Sequence, residues 1–374
     1  MVSKILGDLP QKIISIFIGI AFSLILLELS LRLLPVSEGR HQLAVNDSNP
    51  IPRFEENRDF IWSADWNFSI VTQKHSNNYG FISDQDYSKE DNSPLMAIIG
   101  DSYVEAMQVE NKVTMHGILT KELAADKGRV YSFGVAGEPL STYLANAKYA
   151  YDEFNATSMV FIVVGNDFDQ SLAKYYRRPG LYQFRITDDD ELVLKRSDFE
   201  PSITTQWARK SALLRYLNTN LKIFDRNLVE EITGLLGNSE NNVSDNPTDV
   251  DPERVAYSKK AVDEFFNLLP SYSNLNTENI LFIVDAMRPE IYSDEELKMA
   301  RGNYSDIMRS YLIEQAMKND YEVIYMEPIF IQRNREDGAR FEFETDGHWN
   351  ALGHKLVAEA IQSSDVYART FNKQ

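Results

Sequence analysis

The chain has 374 residues, with 38 Lys and Arg against 56 Asp and Glu, giving a formal net charge of -18. A surface this acidic repels phosphate backbones, so nucleic acid is not an expected partner. There is no cysteine, which excludes a disulfide framework, a thiol nucleophile and a Cys-ligated zinc or iron–sulfur site.

Residues 1–35 differ from the rest. Ile13 to Leu27 is a charge-free run rich in Ile, Leu and Phe. Glu28 and Arg32 follow at i and i+4, where they pair on one helix face. A helix from Ile13 to Leu34 rises about 33 Å, enough to span a bilayer with Glu28 and Arg32 snorkelling at one interface. Three readings compete. The first is a membrane anchor. A cleaved signal peptide has the right length, but no small-x-small site follows the apolar run. A buried core helix is opposed by apolar residues on every face. Basic residues are balanced, with Lys4 and Lys12 before the segment and Arg32 and Arg40 after it. The acidic, cysteine-free remainder favours an extracytoplasmic location, in a bacterial periplasm or on the cell surface.

Residues 36–90 read as an irregular collar. Trp62, Trp66, Phe68 and Ile70 suggest short strands, and Asn78-Tyr79-Gly80 a turn. Residues 91–374 hold the main domain. Five apolar runs recur there: Leu95 to Ile99, Val130 to Phe133, Met159 to Val164, Ile280 to Val284 and Val323 to Tyr325. Helical patterns separate them. One opens at Thr114 and another after Pro139. A third is capped by Asp251-Pro252 and runs to about Leu269, and Ser293 with Glu296 forms a capping-box pattern. A last helix runs from about Ala351 to Ile361. Continuous apolar strands alternating with helices predict a parallel sheet covered on both faces, a three-layer α/β/α domain. An insertion occupies residues 170–250. Within it, Ile186 to Leu194 suggests a hairpin through Asp188-Asp189-Asp190, Leu213 to Leu221 a helix, and Gly237 to Asp249 a mobile loop.

Four features carry chemistry. The first strand ends in Gly100-Asp101-Ser102-Tyr103, which places Ser102 at the carboxyl edge of the sheet, where open α/β folds bind ligands. The second ends in Gly134-Val135-Ala136-Gly137, exposing a backbone N–H. The third ends in Gly165-Asn166-Asp167, where an Asn amide can donate to a developing oxyanion. Before the last helix, Asp346-Gly347-His348 supplies an imidazole with a carboxylate to orient it. Each alone is an ordinary turn. Three at successive strand ends, with an Asp–His pair, form a set.

That set resembles the SGNH, or GDSL-type, hydrolase superfamily, over about Pro94 to Gln362. Its blocks fall on Gly100-Asp101-Ser102, Gly137, Gly165-Asn166 and Asp346 with His348. The long middle insertion has no counterpart in a minimal member. Three departures stand out. Asn166 follows Gly165 directly, Tyr103 replaces the usual Leu, and Asp-x-His replaces Asp-x-x-His. Many anchored bacterial members and the alginate O-acetylation proteins look like the Asp-x-His-Trp version, but the latter place Asp-His before the Ser. The resemblance implies a flavodoxin-like sheet of five parallel strands and acyl transfer. Ser102 would be the nucleophile, His348 the base and Asp346 its orienter, with an oxyanion hole from Ser102 N–H, Gly137 N–H and the Asn166 amide.

His354 lies off metal-sharing spacing and reads as structural, and no metal or other cofactor is expected. Glu138 is either a charge selector beside Gly137 or a solvated loop carboxylate. Trp349 is a substrate wall or core packing. The leading function is an esterase acting on an acylated, first of all O-acetylated, cell-envelope carbohydrate or other ester. An O-acyltransferase using the same triad is the alternative, and a non-catalytic envelope scaffold the second.

Overall fold

The computed structural model describes residues 2–124, 126–223 and 250–372. Its centre is one sheet of five strands: Leu95–Gly100, Arg129–Gly134, Ser158–Val163, Ile280–Val284 and Glu322–Tyr325, here called first to fifth. Their order is second, first, third, fourth, fifth, and every ladder is parallel. The predicted α/β class and its five strands are therefore observed. Every residue of the first four strands is buried, whereas the fifth, at the sheet edge, is half-buried throughout.

Burial on both faces explains why these strands are apolar without alternation. Leu95, Ala97 and Ile99 point into one core, Met96 and Ile98 into the other. Helices Leu140–Phe154, Pro252–Ser273 and Tyr304–Lys318 contribute to the first core. Helices Met115–Glu122, Met326–Asp337, Ala351–Gln362 and Asp365–Phe371 contribute to the second.

The cap signals act as expected, with two differences. Thr114 accepts from Gly117 N–H at 3.1 Å, and Asp251 from Glu253 N–H at 3.0 Å with Pro252 next in the chain. The latter helix passes Leu269 and Pro270 to reach Ser273, where Asn274 in the left-handed region (φ 53°) ends it. Ser293 accepts from Glu296 N–H at 3.3 Å, but Ser293 N–H donates to Glu290 O at 3.2 Å, so the reciprocal half of the capping box is absent. The predicted hairpin is displaced outward. Its strands are Tyr182–Ile186 and Leu192–Arg196, paired antiparallel. The three aspartates form the turn, where Asp190 takes a positive φ of 62°.

In the collar, Arg58–Ala64 and Ile70–Ser76 form a two-stranded sheet. Trp62 and Ile70 belong to its strands, whereas Trp66 and Phe68 occupy the connection. Gly80 N–H closes the predicted turn on Asn77 O at 2.9 Å.

Two compact units divide the chain. One holds the described residues of Met1–Gly39, Phe60–Gln73 and Ser202–Ser239, and the other those of Arg40–Asp59, Lys74–Pro201 and Glu240–Gln374. In the first, helix Val2–Leu31 includes Lys12–Leu31, with a mean hydropathy of 2.4 and 0% of it buried. It is long and apolar enough to cross a membrane, as a signal sequence also is. Glu28 pairs with Arg32 at 2.8 Å as predicted. It does not simply snorkel, for its carboxylate also accepts from Ser211 Oγ at 2.8 Å and from Leu213 N–H at 2.9 Å, at the start of helix Ala212–Arg215. A π-helical turn, Tyr216–Asn220, continues that helix. The stretch Gly237 to Asp249 lies outside the described residues.

Candidate active site

Ser102 opens a four-residue helix, Ser102–Glu105, directly beyond the first strand. Glycines at two neighbouring strand ends make room for it. A Cβ on Gly100 would lie 2.5 Å from Val104 Cγ2, and one on Gly134 2.5 Å from Val104 Cβ. Asp101 caps the helix by accepting from Tyr103 N–H at 3.0 Å. Burial raises the Asp101 carboxyl above its ordinary range, against hydrogen bonding and the nearby imidazole.

The Ser102 hydroxyl lies 2.7 Å from His348 Nε2. His348 Nδ1 lies 2.5 Å from Asp346 Oδ1. The same oxygen accepts from His348 N–H at 2.9 Å, so the Asp-x-His spacing folds the carboxylate back onto both the backbone and the ring of the residue two ahead. Asp346 Oδ2 accepts from Gln108 Nε2 at 3.2 Å. Burial opposes the Asp346 charge, but hydrogen bonds from His348 and the imidazole's own charge outweigh it, holding the carboxyl at about 2. It is therefore an anion at neutral pH. Ser102 Oγ has a second acceptor in Asp101 Oδ2, at 3.2 Å.

Two supports hold these groups, and neither was visible in the sequence. The first is Arg288. Its guanidinium donates to Gly347 O at 3.0 Å, Tyr103 Oη at 3.1 Å and Asp285 Oδ2 at 2.8 Å. Tyr103 Oη donates to Gly347 O at 3.0 Å, and the Tyr103 ring lies 4.8 Å from that of His348. Trp349, 1% exposed, donates from Nε1 to Asp285 Oδ1 at 2.9 Å. It packs in the core and is no substrate wall. The second support is Lys74, from the collar. Its buried ammonium donates to Ala106 O at 2.7 Å, Val109 O at 2.5 Å and Asn111 Oδ1 at 2.9 Å, fixing the loop that carries Gln108. Burial lowers this amine to about 7 although Glu105, Glu110 and Asp84 favour its charge.

Gly137 and Asn166 follow the second and third strands, which flank the strand of Ser102. This is the topological switch point of the sheet, where the strand order reverses. Gly137 has φ 77°, a conformation that favours glycine. Ala136 N–H donates to the Glu105 carboxylate, joining this loop to the helix of Ser102. Asn166 is half-buried, and its Nδ2 donates to Gln170 Oε1 at 3.3 Å. Asp167 beside it is buried, accepting from Tyr143 Oη at 3.0 Å and Val164 N–H at 2.8 Å. His354 is buried and accepts from Met115 N–H at 3.4 Å through Nδ1.

Glu138 is no solvated loop carboxylate. It is 0% exposed, and Asn146 Nδ2 donates to its Oε2 at 2.6 Å. Burial pushes this carboxyl well above its ordinary 4.5, and the Asn146 bond and Arg178 charge oppose that only in part. The native chain thus keeps a proton that the unfolded chain releases above that ordinary value. Stability falls with pH when the native state binds more protons. Glu138→Gln should therefore flatten the decline in urea midpoint above about pH 5, leaving the slope due to Asp101, Asp167 and Asp169, which burial also raises. Parent and variant curves of equal slope between about pH 5 and 8 would count against a buried, protonated Glu138.

No family model matches the sequence, and no curated protein matches it. Solved structures do. A member of the lipolytic protein G-D-S-L family from Veillonella parvula is 11% identical, with a TM-score of 0.34, over 72% of this chain and 96% of that one. The lipase/acylhydrolase from Enterococcus faecalis is 11% identical, with a TM-score of 0.36, over 75% and 99%. An acetyl xylan esterase, AlAXEase, is 13% identical, with a TM-score of 0.34, over 72% and 98%. Likenesses this distant carry no functional weight.

Proposed function

We propose that this chain is an SGNH-type serine ester hydrolase, held at a membrane by its N-terminal helix with the catalytic domain outside the cytoplasm. Its substrate is an O-acylated, first of all O-acetylated, carbohydrate of the cell envelope. One observation carries the reading: the unbroken hydrogen-bond chain from Ser102 through His348 to an ionised Asp346, at the carboxyl edge of a parallel sheet.

Ser102 Oγ attacks the acyl carbon while its proton passes to His348 Nε2. Asp346 stabilises the resulting imidazolium without taking the proton. The carbonyl oxygen becomes an oxyanion, for which Ser102 N–H, Gly137 N–H and the Asn166 amide are the donors. Collapse breaks the C–O bond to the alcohol, which leaves with the proton from Nε2. Water then loses a proton to the imidazole as it attacks the acyl-serine, and collapse releases the acid while Ser102 Oγ takes the proton back from Nε2.

The test uses the full chain in detergent with acetylated oligosaccharides, read by mass spectrometry, and a fluorophosphonate as active-site label. Loss of acetyl groups and labelling of Ser102 are expected. Labelling of another serine would remove the assignment. Acetyl appearing on an added sugar in preference to water would convert the hydrolase into an acyltransferase.

A further inference from the structure

Two arginines reach the loops on either side of Ser102, and neither meets a carboxylate among the described residues. Arg178 lies against the loop after the second strand. A Cβ on Gly137 would lie 2.1 Å from its Nη1, with Tyr176 Oη 3.8 Å from the same point. Arg178 Nη1 donates to Ala136 O at 3.1 Å, and its backbone N–H to Gln183 Oε1 at 3.4 Å. Arg309 projects from helix Tyr304–Lys318 to the loop after the third strand, where a Cβ on Gly165 would lie 3.0 Å from its Nη2. Arg309 is 7% exposed, and its Nε is buried without a partner.

Three other arginines of this domain pair with buried acids. Arg40 pairs with Glu105 at 3.0 Å, Arg254 with Asp169, and Arg288 with Asp285 at 2.8 Å. Leaving a cation buried and unpaired costs several kcal/mol, about 3–5 when a partner is removed. In a chain with a net charge of -18, carboxylates to pair with are abundant, so a buried guanidinium without one, Arg309, and a half-buried one, Arg178, against the loops after the third and second strands need another explanation. Glu138 and Asp167, on the same loops, take their hydrogen bonds elsewhere, the first from Asn146 and the second from Tyr143 Oη and Val164 N–H. Burial drives both Glu138 and Asp167 toward the neutral form, although Arg178 acts on the first and Arg309 on the second.

We infer that Arg178 and Arg309 form an anion subsite flanking Ser102, and that the ester cleaved there carries a carboxylate beside the scissile bond. This deepens the hydrolase reading and rests on it. A guanidinium fork matches a carboxylate in shape and charge. A neutral ester leaves both cations unpaired, so discrimination arises from what the wrong substrate fails to satisfy. The carboxylate sits on the acyl half, as in a succinyl hemiester, or on the alcohol half, as in an O-acetylated uronate.

Two matched pairs separate these sources in the full-length chain: 4-nitrophenyl acetate against 4-nitrophenyl hemisuccinate, and O-acetyl xylotriose against an O-acetyl triuronate. The charged member of one pair should show kcat/KM about tenfold higher or more, and Arg178→Gln and Arg309→Met should each lower that ratio by about tenfold. The pair that responds names the half that carries the charge. Binding gives a reading without turnover. Calorimetric titration of Ser102→Ala should favour the same charged member. Removing an unpaired cation should also leave the unfolding midpoint of Arg309→Met at or above the parent's, whereas a lower midpoint would return Arg309 to the scaffold and overturn its part. Ratios near one in both pairs, with equal binding by Ser102→Ala, would overturn the subsite while leaving the esterase intact. Charge-selective binding without any turnover by the parent would sink the hydrolase and leave the subsite standing.

Discussion

Ser102→Ala should lower turnover of an activated acyl ester by on the order of 10⁶-fold, and His348→Ala by about the same. The double variant should be hardly worse than either. On the proposed mechanism the 2.7 Å contact between Ser102 Oγ and His348 Nε2 makes nucleophile and base one device, and half of it is worth little more than none. Asp346→Asn should cost less, on the order of 10⁴-fold, because the carboxylate orients and stabilises the imidazole without reacting. Its loss is still that of a whole charge, since Asp346 is held at about 2. Steady-state rates of the four variants, with circular dichroism to confirm folding, supply the check. Additive losses in the double variant would show that Ser102 and His348 do not act together.

Much of the architecture was legible because it is local. The five strands are short apolar runs, and a strand buried on both faces needs no partner elsewhere in the sequence to announce itself. Thr114 and Asp251 mark helix starts through bonds to residues two or three ahead. The helices Tyr304–Lys318 and Met326–Asp337 were not anticipated. In the first, Ser305 and Arg309 interrupt the buried stripe of Tyr304, Met308, Leu312 and Ala316. In the second, only Met326, Glu327 and Phe330 are buried, too few to set a period. That Ser102, His348 and Asp346 would meet was legible from their blocks and from the place of Ser102 at a strand end. Their supports were not. Lys74 lies in a stretch that reads as irregular, and Gln108 meets Asp346 across 238 positions. Glu138 shows the same limit from the other side, since nothing around it in sequence tells a buried acid from a solvated one.

Arg288 is where the largest effect on stability is expected. Its side chain is 3% exposed, as is that of its partner Asp285, and Glu342, 3.5 Å away, is 8% exposed. Arg288→Met keeps most of the stem and deletes the charge. Asp285 is then left buried without its cation, which costs about 3–5 kcal/mol, whereas Glu342 keeps Arg340 at 2.9 Å. Asp285 retains Trp349 Nε1 at 2.9 Å, but one neutral donor does not replace a guanidinium. The loss should also reach the chemistry. Arg288 binds the carbonyl of Gly347, which stands between Asp346 and His348, and the hydroxyl of Tyr103, which follows Ser102. It therefore ties the loop of His348 to the helix of Ser102. Loosening that tie misaligns groups that must meet within a fraction of an ångström, so kcat should fall more than KM rises. Arg288→Lys should recover part of the stability, since it restores a charge, but less of the rate, since one ammonium cannot reproduce the planar fork to three acceptors. Adding Asp285→Asn to Arg288→Met should recover stability by removing the stranded charge, and leave the rate low. Urea unfolding with parallel kinetics reads both effects. An Arg288→Met chain with the parent's midpoint and the parent's kcat would mean that the fork supports neither the core nor the triad.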